Sequence, residues 1–258
     1  MTEKLLTETR GHTALVTINN PAANTWDEDN LSALRDLIND LNSDKDIYAL
    51  VITGRGEKFF SAGADLNKFA AGDKEVAREM ANKFGEAFER LSQFNGVSIA
   101  AINGYAMGGG LECAMACDIR IAESQAVMAL PEATVGLLPC GGGTQNLAWI
   151  VGEGWAKKMI LCGERVDAET ALRIGLVEEV VDKGMSLDRA LELASQVSNQ
   201  SPTSVTACKR LIQSARSGNI TGAYEVERND FVELFDSEDQ TEGVQAFLEK
   251  RKPQWKNA

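Results

Sequence analysis

Asn103-Gly104-Tyr105-Ala106-Met107-Gly108-Gly109-Gly110-Leu111-Glu112 is the stretch that decides how this chain folds. The apolar run from 97 to 102 before it predicts a strand, which Asn103-Gly104 ends, and Leu111 to Ala116 after it predicts a helix. Glycines at such a strand-to-helix turn let the backbone approach a neighbour or a ligand closely. The first N–H groups of a helix are unpaired and carry partial positive charge, so they suit a carbonyl oxygen that gains negative charge during a reaction. Glu112 falls in the first helical turn. The same residues also read as close packing of a helix on a strand, with Glu112 as a helix-terminal charge. The stretch alone leaves both readings open.

Outward from this point, strands and helices alternate. Leu5 to Arg10 and Ala14 to Ile18 predict two strands around a turn at Gly11-His12. Leu31, Leu34, Ile38 and Leu41 recur at helical spacing, and Tyr48 to Thr53 is a short apolar strand. Val76, Met80, Phe84, Phe88 and Leu91 mark a second amphipathic helix. Asp118 to Ala122 predicts a strand, and Cys140-Gly141-Gly142-Gly143 is a turn that opens another helix. From Ala168 the pattern is mostly helical, with one strand at 176–181 and a final helix at 242–252. This is an α/β core with a helical C-terminal region. No internal repeat and no low-complexity linker is visible.

Two further segments carry chemistry. In Ser61-Ala62-Gly63-Ala64-Asp65 small residues around a glycine free backbone N–H groups, and Asp65 suits a helix N-cap. A plain loop explains the same residues. In Ala129-Leu130-Pro131-Glu132, Pro131 restrains the backbone and holds Glu132 among apolar neighbours such as Val127, Met128, Val135 and Leu137. A carboxyl there resists ionisation more than a free one. The alternative is a surface loop glutamate.

The totals exclude several classes. A formal net charge of −12 over 258 residues disfavours nucleic acid and anionic membranes as partners, and no apolar run approaches the ~20 residues of a membrane span. The N-terminus shows no signal-peptide pattern. The five cysteines match no zinc spacing, so no metal is expected; buried, reduced thiols and a cytoplasmic location are. His12 is the only histidine and sits in a turn, which leaves no Ser-His-Asp or Cys-His arrangement elsewhere. The spacings of a phosphate-cradling loop and of a dinucleotide-binding turn are not met.

Taken together and in this order, the three motifs resemble those of the crotonase (enoyl-CoA hydratase/isomerase) family, and the resemblance runs over nearly the whole chain. It implies a ββα spiral with a helical C-terminal part, here residues 1–200 as the core with the acyl-CoA site and 201–258 as a trimerisation region. It implies a homotrimer or homohexamer. The implied ligand is an acyl-CoA thioester, with coenzyme A part of the substrate and no separate cofactor. The thioester oxygen would lie between the backbone N–H groups of Ala64 and Gly109, stabilising an enolate. Glu112 would act as base on a water and Glu132 would protonate the α-carbon. This pair favours a hydratase; a double-bond isomerase or a non-catalytic acyl-CoA-binding protein remains open. By motif position Ala62, Asp65, Leu66, Asn67 and Gly108 would line the substrate site, and Phe247 and Lys250 would reach the CoA of a neighbouring subunit. Lys250 also reads as part of a solvated basic tail. Many relatives carry Pro-Gly where this chain has Pro139-Cys140, so a Cys140 side chain would narrow the pocket or shift substrate choice.

Overall fold

β1 (Leu5–Arg10) and β2 (Thr13–Ile18) form an antiparallel hairpin in which Leu5 faces Ile18. The computed structural model describes residues 4–216 and 220–258. After the hairpin comes α1 (Glu28–Ser43), whose start is fixed by a capping box. The Asp27 carboxylate accepts from Asn30 N, and the Asn30 side chain accepts from Asp27 N. A unit of long strand, short strand and helix then repeats. β3 (Ala49–Gly54), β4 (Phe59–Ser61) and α2 (Lys74–Ser92) form one turn. β5 (Val97–Ile102), β6 (Tyr105–Met107) and α3 (Gly109–Ala116) form the next. β7 (Ile119–Glu123), β8 (Val127–Ala129) and α4 (Gly143–Leu161) form a third. β9 (Val166–Asp167), α5 (Ala168–Arg173), β10 (Glu179–Val181) and α6 (Ser186–Val197) follow. Beyond them lie the helices α7 (Pro202–Ser214), α8 (Ile220–Glu233) and α9 (Glu238–Glu249).

The long strands collect into one sheet in the order β1-β2-β3-β5-β7-β10, parallel apart from the hairpin. The short strands collect into a second sheet in the order β4-β6-β8-β9. Each turn thus adds one strand to each sheet, and the chain winds as a ββα spiral. This repeat is absent from the sequence reading because it lies in the backbone path, not in the side chains. α2 has 19 residues and one buried face, whereas α3 has 8 residues and is buried throughout.

Burial on both faces explains the apolar runs of the large sheet. Val16, Ile18, Leu50, Ile52, Ala100 and Ile102 point to the main core beside α1 and α2. Leu15, Val51, Ile99, Ala101 and Ile121 point the other way, onto Ala190 and Ala194 of α6. Element ends differ from expectation where a cap or a glycine intervenes. The strand expected from 176 begins only at Glu179, after the buried Leu176 and Val177. The last helix starts earlier than expected, because Ser237 caps it by accepting from Gln240 N, and it ends at Lys250 with φ 55°. β6 has three residues between Gly104 and Gly108, too few for a periodic signal.

The spiral requires close packing where one turn crosses the next. A Cβ on Gly110 would overlap the Ser61 carbonyl oxygen of β4, so α3 sits on the short sheet only because residue 110 has no side chain. Gly110→Ala is expected to lower stability by about 2–3 kcal/mol, read as a fall in thermal midpoint by circular dichroism. Gly154→Ala in α4, where a Cβ meets nothing within 4 Å, is expected to be neutral or to stabilise by roughly 0.5–1 kcal/mol.

Candidate active site

Parallel pairing of the short strands brings three distant sequence motifs side by side. Ser61 pairs with Ala106, Ala106 with Met128, and Met107 with Ala129. The segments that leave β4, β6 and β8 therefore emerge together, and Gly108 N donates to Ala129 O at 2.9 Å. Gly63, with φ 90°, lies so close to the next segment that a Cβ would be 2.6 Å from Met107 O and 3.1 Å from Gly109 N.

This crossing sets two backbone N–H groups. Trp26 N donates to Gly63 O and Asp65 N donates to Trp26 O, so the N–H of Ala64 between them faces away from that bridge. Gly109 opens α3 behind Gly108, which supplies no side-chain cap. The Gly109 N–H is therefore one of the unpaired donors at a helix start. Ala64 and Gly109 both line one cavity.

Glu112 is 3% exposed, and its Oε1 accepts from Gly141 N and Gly143 N, each at 2.8 Å. Burial pushes its carboxyl up to about 7; the two amides oppose this and the charge of Glu132 adds to it. Glu132 opens the short 3₁₀ turn Glu132–Val135 just after Pro131. It is half-buried, and burial raises its pKa above the usual carboxylate range. Its Oε2 is buried without a hydrogen-bond partner among the described residues. An unpaired buried carboxyl oxygen is costly unless a ligand completes it.

The cavity holds about 220 Å³, room for an acyl group but not for a nucleotide. Of the residues expected at the site, Ala62, Ala64, Leu66, Gly108, Gly109, Glu112, Glu132 and Cys140 line it. Phe69, Phe84, Pro131, Thr134, Val135, Leu137 and Leu138 complete the wall. Asp65 and Asn67 do not line it: the Asp65 carboxylate caps the turn at 66–69, accepting from Asn67 N at 3.1 Å and from Asn67 Nδ2 at 2.8 Å. Phe247 and Lys250 lie at the exposed end of α9, outside this cavity. His12 is exposed and stacks on Tyr48, in keeping with a turn residue. The expectation of buried thiols holds for Cys113 and Cys117 only. Cys140, Cys162 and Cys208 are exposed: Cys140 follows Pro139 in a loop, Cys162 caps the end of α4, and Cys208 occupies an exposed position of α7. Among the described residues no group of His, Cys, Asp and Glu is arranged to hold a metal, and no helix is long and apolar enough to cross a membrane.

Sequence reasoning missed the amides that hold Glu112. The Gly141-Gly142-Gly143 run was legible as a turn, but its partner 29 residues earlier is set only by the packing of α3 on α4. The raised Glu112 pKa has a consequence for stability. The folded state binds this proton more tightly than the unfolded chain, where the group titrates near ~4.3. The associated stability is present below that value and is lost as pH rises to about 7, up to roughly 3–4 kcal/mol. Glu112→Gln keeps the acceptor and the volume without the charge. It is expected to melt above the wild type at pH 8, with the gap closing at pH 5, by calorimetry.

A family model described as "Enoyl-CoA hydratase/isomerase" matches residues 8–258. The chain is 40% identical over 253 residues to the "Short-chain-enoyl-CoA hydratase" of Clostridium acetobutylicum, covering 96% of this chain and 95% of that one. It is 38% identical to the "2,3-dehydroadipyl-CoA hydratase" of Escherichia coli, covering 98% of each. The solved structure of DspI from Pseudomonas aeruginosa is similar with a TM-score of 0.96 at 68% identity, covering 98% of this chain and 97% of that one. A ββα spiral with paired backbone donors, one buried and one half-buried carboxyl, matched over almost its full length, places this chain in the crotonase (enoyl-CoA hydratase/isomerase) family.

Proposed function

We propose that the chain is an enoyl-CoA hydratase that adds water across the α,β double bond of a 2-enoyl-CoA thioester to give a 3-hydroxyacyl-CoA. One observation carries the reading: Glu112 and Glu132 share a mainly apolar cavity with the exposed-facing amides of Ala64 and Gly109. The relatives named as hydratases support it.

The thioester oxygen accepts from the Ala64 and Gly109 N–H groups. Glu112 takes a proton from water, and the water oxygen bonds to C3. The C2=C3 electron pair moves toward the thioester, and the enolate oxygen is held by the two amides. Glu132 then delivers its proton to C2. The sum is the addition of H and OH; Glu112 has gained a proton and Glu132 has lost one, and exchange with solvent resets both. Nothing is oxidised or reduced, so the proposal calls for no metal and no cofactor beyond the CoA that the substrate carries. Gly141 and Gly143 hold the Glu112 carboxylate on one oxygen, which leaves the other for the water.

Assembly as a homotrimer or homohexamer belongs to the same proposal, with residues 201–258 as the assembly region. Phe231, Val232, Phe235, Phe247 and Leu248 on and beside α8 and α9 are all more than half exposed, as an interface region requires. In such an assembly Phe247 and Lys250 would meet the CoA of a neighbouring subunit, and Asp65 and Asn67 would shape the loop at its thioester end. The net charge of −12 supports the absence of nucleic-acid and membrane partners, and five cysteines without a disulfide support a cytoplasmic location.

Crotonyl-CoA absorbance with the purified chain tests the reading, since hydration removes the conjugated double bond. Glu112→Gln and Glu132→Gln are each expected to lower kcat by on the order of 10²–10⁴ while CoA thioesters still bind. A rate near wild type in either variant would sink the assigned roles; loss of a C4 proton to solvent without hydration would favour an isomerase. Because Glu112 must be ionised to act as base, kcat/KM is expected to fall with decreasing pH below about 7, and Glu112→Gln is expected to lose this acid limb.

A further inference from the structure

Cys140 and Glu112 meet at one wall of the cavity. The residue after Cys140 donates its N–H to Glu112 Oε1 at 2.8 Å, and Cys140 itself lines the space that both carboxyls share. On the hydratase reading, Glu112 activates the water that bonds to C3. The Cys140 side chain therefore stands on the C3 side of the substrate. Its backbone has little freedom, because the buried Pro139 precedes it and the amides of Gly141 and Gly143 are committed to Glu112.

Resting on that reading, we propose that Cys140 is a specificity-determining residue: its side chain fills the space beside C3 and excludes acyl groups with a second substituent on that carbon. Unbranched chains follow the apolar wall formed by Val135, Leu137 and Leu138.

A thiol in this place has an alternative chemistry that must be suppressed. The Cys140 sulfur could bond to C3 while the thiol proton ends on C2, giving a dead-end thioether in place of the alcohol. Thiolates, not thiols, react in this way. Although the residue as a whole is exposed, loss of water around its thiol at the cavity wall, reinforced by the charges of Glu112 and Glu132, pushes the thiol up to about 11. At pH 7 only about one molecule in 10⁴ then carries the thiolate. The group is a neutral filler: larger than the hydrogen of glycine, less polar than serine, and no competitor to the carboxyls as acid or base.

The test compares kcat/KM for crotonyl-CoA and 3-methylcrotonyl-CoA, which differ by one methyl on C3, in the wild type, Cys140→Ala and Cys140→Gly. A methyl-sized change in a fitted pocket discriminates by about 10-fold or more. The ratio of 3-methylcrotonyl-CoA to crotonyl-CoA is expected to rise about tenfold in Cys140→Gly, with a smaller rise in Cys140→Ala. The acid limb near pH 7 serves as the structural readout, since it moves if the burial or the amide cradle of Glu112 is disturbed. If Cys140→Gly moves it, the ratio in Cys140→Ala, which keeps Cβ, decides. Ratios within about twofold of wild type in the deciding variant overturn the proposal. A wild type inactive on crotonyl-CoA would instead overturn the hydratase reading, so the two failures are distinguishable.

Discussion

The parallel pairing of β4, β6 and β8 is the constraint on which the rest of the site depends. These strands have three residues each, and alone they would contribute little to stability. Their effect is positional. They fix the register of three segments far apart in sequence, so that a backbone donor from the first, a donor and a carboxylate from the second, and a carboxylate from the third open onto one cavity. The large sheet, buried on both faces, supplies the stability that lets such short strands pair at all. Crowding then sharpens the register: Gly63 and Gly110 touch neighbouring backbone, and a slip of one residue would drive a side chain into a carbonyl.

Electrostatics in the cavity follow from two opposed demands on Glu112. An almost wholly buried carboxylate is unfavourable, yet a base must be able to lose its proton. Burial alone would hold the group protonated through neutral pH; the amides of Gly141 and Gly143 offset part of that penalty and bring its midpoint to about 7. Glu132 is less deeply buried and has no comparable cradle among the described residues, and its buried Oε2 is left without a hydrogen-bond partner. Two chemically identical side chains thus receive different surroundings from one short sheet.

Much of this was legible from the chain alone, for identifiable reasons. Val97 to Ile102 and the glycine run marked the strand, turn and helix around Glu112, because apolar continuity and glycine clustering are local signals. Pro131 marked Glu132 as restrained. The amphipathic helix around Val76 to Leu91 was plain from its spacing. What could not be read is whatever depends on pairing between turns. β6 is too short to show a period, the ββα repeat leaves no repeated side chains, and the role of Gly141 and Gly143 depends on how α4 meets α3. Asp65 was legible as a cap, a role it performs, but its local turn gives no direction toward the cavity. The solvent-facing Phe247 and Lys250 sit on α9, far along the chain, and one chain alone assigns them no contact with the cavity.

The cavity wall divides by element. The backbone donors and both glutamates sit at strand ends and helix starts, where the spiral holds them. Leu137, Leu138 and Cys140 sit on the loop between the Glu132–Val135 turn and α4, and Leu66 and Phe69 bound the short 3₁₀ turn ahead of α2. Substitutions in those segments alter the shape of the space without touching sheet register or the approach of α3 to β4. Chemistry and substrate choice are therefore under nearly independent mutational control. Such a scaffold can drift from one acyl group to another through single, mildly perturbing steps, keeping its reaction throughout, whereas a change of reaction would require substitutions at positions the spiral itself needs.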